Sequence, residues 1–157
     1  METSAKPVAL RPPAADELGY LNDLILRSKA VWGYDETFMA ACVEELRVDE
    51  ALLARNHFMV AATDDGPLGI AEVEMDGATA ILEKLFVDPD CLRTGAGKRL
   101  FDWARETVKT AGADRMVIDA DPGAEGFYKA MGAVRTGLTP SGSIPGRMLP
   151  ELTLFLS

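Results

Sequence analysis

The stretch Leu85-Phe86-Val87-Asp88-Pro89-Asp90-Cys91-Leu92-Arg93-Thr94-Gly95-Ala96-Gly97-Lys98 reads as a strand end, a glycine-bearing turn and a helix start. Asp88-Pro89 stops the strand, because proline has no N–H and restricts the residue before it. From Lys98 to Ala111 the apolar residues Leu100, Phe101, Ala104 and Val108 share one helical face, and Gly112 is placed to end the helix. The first turn of a helix presents unpaired N–H groups, and its dipole favours negative charge there. Glycine lets phosphate oxygens approach that backbone closely, so the turn is a candidate anion site. By itself the motif is equally a tight packing turn. It is not a Walker A loop, which needs glycine where Leu92 stands and Ser or Thr where Arg99 stands. Nor is it a dinucleotide fingerprint, since no third glycine follows and the strand lies mid-chain.

Outward from this stretch, strands and helices alternate without repeats. Ahead of it, Val8 to Arg11 suits a short strand, and Ala14 to Ala30 a helix with Leu18, Leu21, Leu24 and Ile25 on one face. Glu36 to Leu46 reads as a second helix capped by Asp35, and Asp49 caps a short one through Ala54. Phe58 to Thr63, Leu68 to Met75 and Ala78 to Val87 read as three antiparallel strands, joined by turns at Asp65-Gly66 and Asp76-Gly77. Beyond the central helix come a strand at Met116 to Ala120, a short helix from Asp121-Pro122-Gly123 to about Met131 and a strand at Val134 to Thr136. A Gly/Ser/Pro loop from Leu138 to Gly146 and a last strand at Leu152 to Leu156 follow. The strand–helix–strand crossover from Ala78 to Ala120 implies one parallel pair in the sheet. The expected fold is therefore α/β (α+β), a mixed and mostly antiparallel sheet of about 6–7 strands with about 4 helices.

Its 157 residues, 48% of them apolar, suit a single domain spanning 1–157. The formal net charge of −9 argues against nucleic acid and anionic membrane as partners and favours a cationic substrate. Two cysteines, Cys42 and Cys91, form no disulfide framework, and a single histidine, His57, excludes multi-histidine metal sites. No apolar run reaches the roughly 20 residues of a membrane helix, and Met1 to Leu10 has no signal-peptide core. A reducing cytoplasm is the expected compartment.

Two motifs together resemble the GNAT acetyltransferase superfamily. Members carry a Gln/Arg-x-x-Gly-x-Gly/Ala loop directly after a strand ending like Leu85-Phe86-Val87-Asp88-Pro89. Here the loop is Leu92-Arg93-Thr94-Gly95-Ala96-Gly97, with Leu92 in the Gln/Arg position. The second motif is Asp121-Pro122-Gly123-Ala124-Glu125-Gly126-Phe127-Tyr128-Lys129-Ala130-Met131-Gly132-Ala133. It is similar to the family's Asn-x-x-Ala-x-x-Phe-Tyr-x-Lys-x-Gly-Phe, with Asp121, Ala130 and Ala133 as departures.

The resemblance implies acetyl-coenzyme A as cofactor and a splay between the strands ending at Val87 and Ala120. Leu85, Phe86 and Val87 would line the pantetheine, and a backbone N–H near Leu85 or Phe86 would stabilise the oxyanion. Arg93, Thr94, Gly95, Ala96, Gly97 and Lys98 would hold the pyrophosphate, with Asp121, Ala124, Phe127 and Tyr128 as further cofactor contacts. The acceptor would be a primary amine of a small molecule or peptide, attacking directly in a ternary complex. Removing a proton from a lysine-like amine at pH 7 costs roughly 4–5 kcal/mol, so a base is useful. Glu83 is the first candidate, and Glu72 and Glu74 follow; strand periodicity puts Glu83, Leu85 and Val87 on one face, with Glu74 across from it. Tyr128 is the candidate acid for the departing thiolate. Trp32, Tyr34 and Arg147, with Glu74, are the candidate substrate-binding residues, although the two aromatics equally suit a clamp between helices. Similar proteins are often dimers, so a homodimer is among the states the resemblance admits. Two alternatives stand beside this reading: a non-catalytic module sensing acyl-CoA, and a nucleotide phosphotransferase, against which the missing Walker context and metal carboxylates speak.

Overall fold

The computed structural model describes residues 7–92, 94–141 and 146–156. Among these residues seven strands form one sheet: β1 (Ala9–Arg11), β2 (His57–Thr63), β3 (Gly66–Asp76), β4 (Thr79–Val87), β5 (Arg115–Asp119), β6 (Val134–Pro140) and β7 (Met148–Phe155). Their order across the sheet is β1-β2-β3-β4-β5-β7-β6, and β4 with β5 is the parallel pair. The helices are α1 (Leu18–Ala30), α2 (Glu36–Leu46), α3 (Glu50–Arg55), α4 (Ala96–Thr110) and α5 (Glu125–Ala130).

Local chemistry sets the helix ends. Asp35 and Asp49 each accept a hydrogen bond from the third residue of the helix they precede, at 2.8 and 2.9 Å, worth about 1 kcal/mol apiece. Helix α4 ends in a Schellman turn: Ala113 N–H donates to the Val108 carbonyl and Gly112 N–H to that of Lys109. Gly112 sits at φ +103°, a conformation that strains any residue with a Cβ. Helix α1 begins at Leu18 rather than at Ala14, because Ala15–Glu17 winds as a 3-10 segment.

Two cores flank the sheet. On one face Leu21, Leu24 and Ile25 of α1 meet Phe58, Val60 and Ile70 of the sheet. On the other, Leu100, Phe101, Ala104 and Val108 of α4 are fully buried, against Ala61, Ala71, Val73, Met116 and Ile118. Each such large apolar side chain contributes roughly 1.5–3 kcal/mol on burial. The last two strands are longer than their patterning suggests. Leu138–Pro140, expected as loop, continues β6, and β7 begins at Met148 rather than Leu152. Cross-strand pairing of Thr139 with Leu149 and Pro140 with Met148 holds these polar and proline-bearing ends in the ladder.

One feature of the ladder shapes the site. Strands β4 and β5 pair only from Thr79↔Arg115 to Leu82↔Ile118. Strand β4 then runs on to Val87 paired with β3 alone, while Asp119 of β5 remains paired with Glu151 of β7 on its other side. The parallel strands thus part, leaving the edge of β4 from Glu83 to Val87 without a β5 partner. The ladder between β3 and β4 carries a β-bulge here: Val73 faces Leu82, yet Glu72 faces Lys84, so Glu83 is the extra residue.

Candidate active site

The parting of β4 and β5 opens onto two adjoining cavities. The larger, about 420 Å³, is walled by Ser28, Lys29 and Trp32 of the α1 end, by Ile81 to Phe86 of β4, and by Asp119 to Asp121 after β5; Tyr128 of α5 completes it. The smaller, about 230 Å³, is an apolar groove leading to the α4 start, lined by Leu85, Val87, Leu92, Gly97, Ala124 and Phe127 among others. Ser28, Trp32, Leu85, Ala124 and Tyr128 border both. Tyr128 therefore stands at the junction.

The groove suits the coenzyme. Gly95 caps α4 at φ +83°, and the first intrahelical bond runs from Arg99 N–H to the Gly95 carbonyl. The N–H groups of Gly97 and Lys98 lie ahead of that bond and have no intrahelical acceptor. The Ala96 N–H is already held by Thr94 Oγ1 at 3.3 Å, and its side chain is core, so this residue offers little beyond shape. A Cβ on Gly97 would stand 3.6 Å from Val87 and 3.7 Å from Phe127, filling part of the groove. Lys98 pairs with Asp102 at 2.9 Å on the exposed side of α4. Arg93 lies outside the described residues.

The carboxylates divide into spent and unspent. Glu72 is fully buried and salt-bridged to Lys84 at 2.7 Å, with Asn56 donating to its other oxygen at 2.7 Å. That arrangement removes Glu72 from the candidate bases. Asp121 accepts both of its oxygens' bonds from Lys29 Nζ at 2.8 Å, and Tyr34 Oη donates to it at 2.7 Å. The carboxylate in the family's Asn position is thus tied to α1 and the α1–α2 loop. By contrast Glu83 shares a hydrogen bond with Glu74. Burial of its carboxyl, that bond, and the charges of Glu72 and Glu74 push Glu83 up to about 7. The bulge corrects the expected facing: Leu85 and Val87 pack against the α4 core, whereas Glu83 turns to the side of Glu74. Period-two alternation fails there because the extra residue interrupts it.

Tyr128 is 7% exposed, packed at 6.0 Å from the Phe101 ring and 5.3 Å from that of Phe127. Burial first, then the Asp121 charge, pushes its hydroxyl's pKa up, so it is held protonated. Trp32 lies over Gly123; any Cβ there would come within 2.5 Å of its ring. Tyr34 and Arg147 form a clamp: Arg147 Nη2 donates to Tyr34 Oη at 2.7 Å, and its guanidinium lies 4.7 Å from the Tyr34 ring centre. Neither of these two borders the cavities, whereas Trp32 borders both. Sequence reasoning passed over Lys29, Lys84 and Asp119. Asp119 alone left a signal, a lone charge ending the apolar alternation of Met116 and Ile118.

Among the described residues no cluster of His, Cys, Asp or Glu is arranged to hold a metal, and no helix is long and apolar enough to cross a membrane.

A splayed parallel pair, a glycine-capped helix at the mouth and a groove between them define the fold class of coenzyme A-dependent acetyltransferases. Solved structures share it across nearly the whole chain. The PaiA N-acetyltransferase of Thermoplasma acidophilum, solved with coenzyme A, superposes with a TM-score of 0.79 at 18% identity, covering 96% of this chain and 99% of that one. A GCN5-related N-acetyltransferase of Rhodopseudomonas palustris gives 0.78 at 24% identity, covering 99% of each. The ribosomal-protein-S18-alanine N-acetyltransferase of Escherichia coli gives 0.70 at 16% identity, covering 96% and 95%. No curated protein matches the sequence itself. The model of the acetyltransferase (GNAT) domain matches residues 17–141, and the chain belongs to that family. Acetyl-coenzyme A is the family's acetyl donor.

Proposed function

We propose that the chain is an N-acetyltransferase acting on a primary amine of a small molecule or peptide, with both substrates bound together. We assign it one domain over residues 1–157 and a place in the cytoplasm. The observation that carries this reading is Glu83 at the wall of the larger cavity, one residue beyond the last β4–β5 pairing and beside Glu74 of β3.

Bound acetyl-coenzyme A supplies a thioester-activated acetyl group. The chain's own groups do the rest. The N–H groups of Gly97 and Lys98 and the neighbouring loop would hold the pyrophosphate at the α4 N-terminus. Leu85, Phe86 and Val87 offer an open strand edge to pantetheine, and a backbone N–H in this run is placed to stabilise charge on the carbonyl oxygen. Ala124 and Phe127 complete the groove wall. Glu83, with its carboxyl near 7, takes a proton from the entering ammonium; a base near the working pH combines a useful ionised fraction with driving force. Burial, and after it Glu74 and Glu72, raise Glu83 out of the ordinary carboxylate range. The Tyr128 hydroxyl, protonated throughout the working range, donates a proton to the departing sulfur. Trp32 roofs the junction, while Tyr34, Arg147, Lys29 and Asp121 brace the two sides of the acceptor mouth.

The engagement of Asp121 by Lys29 is the one feature that favours a non-catalytic acyl-CoA sensor instead, because it removes a polar contact from the cofactor side. Thiol release with a panel of amines separates the readings. Coenzyme A binding without any release would reject the catalytic one. Absence of a thermal shift or heat with millimolar acetyl-coenzyme A would reject both.

A further inference from the structure

Lys84 and Glu72 pair across the ladder immediately beside the bulge that sets Glu83 out. Their ion pair spans 2.7 Å, with the two side chains only 6% and 2% exposed. Asn56, which closes α3 and leads into β2, donates to the other Glu72 oxygen at 2.7 Å. Burying two charges costs about as much as their attraction returns, and apolar residues of the same volume often serve stability better. The pair therefore calls for a reason other than stability. Strand register supplies one. Without the bulge, β4 beyond Leu82 slips by one place against β3, so that Glu83 opposes Glu72 and Lys84 opposes Ala71. Two carboxylates then meet across the ladder, and the Lys84 ammonium turns into the core that Ala71 shares with Ala96 and Leu100 of α4. Leu85, Phe86 and Val87 do not choose between the registers, because they are apolar and suit the core on either face. The charges at positions 72 and 84 do choose, and both disfavour the slipped register.

We propose that Lys84 is a positioning residue for acetyl transfer: its buried pair with Glu72, held from behind by Asn56, pins the β4 bulge and so keeps Glu83 at the wall of the larger cavity. This rests on the reading of Glu83 as the base. Lys84 takes no proton itself and acts through the strand. The charged groups around Glu83 are Glu72 and Glu74 of β3 and the adjacent Lys84. Lys29 of α1, Glu45 of α2, Asp119 of β5 and Asp121 beyond it line the same cavity. Glu72 raises the Glu83 carboxyl and Lys84 lowers it. Removing both charges together leaves burial and Glu74 to keep Glu83 raised for as long as the bulge persists.

The test combines Glu72→Met with Lys84→Met, which leaves no buried charge at this point of the ladder. The melting temperature of this double variant should hold or rise, whereas Lys84→Met alone strands the Glu72 carboxylate and should melt lower. Thiol release by the double variant should nevertheless fall about 10²-fold in kcat/KM at pH 7, the loss expected for Glu83→Gln in an otherwise unchanged chain. The bend near pH 7 should vanish with it, and adding Glu83→Gln to the double variant should change little further. Cross-strand NMR contacts should place position 72 opposite Glu83, a readout independent of activity. A folded double variant that keeps the wild-type register, or keeps the wild-type rate and bend, overturns the proposal. So does a double variant that no longer melts cooperatively, since the pair would then serve stability. The base reading is judged separately: if Glu83→Gln alone leaves the wild-type profile intact, Glu83 is not the base, and a slipped register in the double variant still upholds the pinning of the bulge.

Discussion

Replacing Glu83 by Gln keeps the size of the side chain and its bulged backbone but removes the proton acceptor. At pH 7 an aliphatic amine with a pKa of about 10.4 is free in roughly one part in 2,500, equivalent to about 4.6 kcal/mol. General-base assistance typically recovers 10²–10⁴-fold of such a barrier. Glu83→Gln is therefore expected to lower kcat/KM by about 10²-fold at pH 7, and by about tenfold or less at pH 10, where the amine supplies itself unprotonated. The shape of the profile is more telling than the size. Glu83 must be ionised to act, so wild-type activity should rise as pH increases through about 7 and then level. In the variant that bend should vanish, and the rate should climb tenfold per pH unit toward the amine's own pKa. Stability should move oppositely. A carboxyl raised above its unfolded value contributes stability that is lost as pH rises through about 7, so the Gln variant should be the more stable protein above that pH. The assay is thiol release across pH 5.5–10 at saturating acetyl-coenzyme A, alongside thermal melts. A wild-type bend retained in the variant would refute the assignment of Glu83 as base.

Other perturbations separate the roles of neighbouring groups. Tyr128→Phe should slow turnover roughly 10–30-fold at pH 7, the worth of protonating a thiolate of pKa near 8.5, while coenzyme A affinity holds; full activity would remove Tyr128 as the acid. Gly97→Ala should do two opposite things: add about 1 kcal/mol of helix propensity, and weaken coenzyme A binding through the methyl group in the groove, with calorimetry and a melt reading the two. A stabilised variant with unaltered affinity would place the pyrophosphate elsewhere. Asp121→Asn leaves Lys29 buried without its counter-charge and should cost about 3 kcal/mol, lowering Tm by roughly 6–12 °C. No loss in Tm would show that the Lys29 contact carries no weight in the fold.

How much was legible beforehand follows from the range of each interaction. The Leu85 to Gly97 run disclosed strand end, turn and helix because proline, positive-φ glycine and helical periodicity act within a few residues. The acidic caps Asp35 and Asp49 and the face formed by Leu100, Phe101, Ala104 and Val108 were readable for the same reason. Glu83 was found as a candidate, but its facing was misjudged, since a bulge depends on the partner strand and leaves no mark in one strand's sequence. The ends of β6 and β7 were missed because Leu138 to Pro140 looks like loop until Met148 and Leu149 pair with it.

The one-dimensional order of residues determined the family, the crossover that makes β4 and β5 parallel, and the location of the glycine turn that starts α4, all of which depend on near neighbours. Only the tertiary structure decided which charges are available for chemistry. Lys84 cancels Glu72 and Lys29 cancels Asp121 across 12 and 92 positions of chain, whereas Glu83 is left beside Glu74 and Asp119 beside Glu151. Electrostatic pairing depends on distance in space and on burial, and neither is a property of the sequence until the sheet has closed.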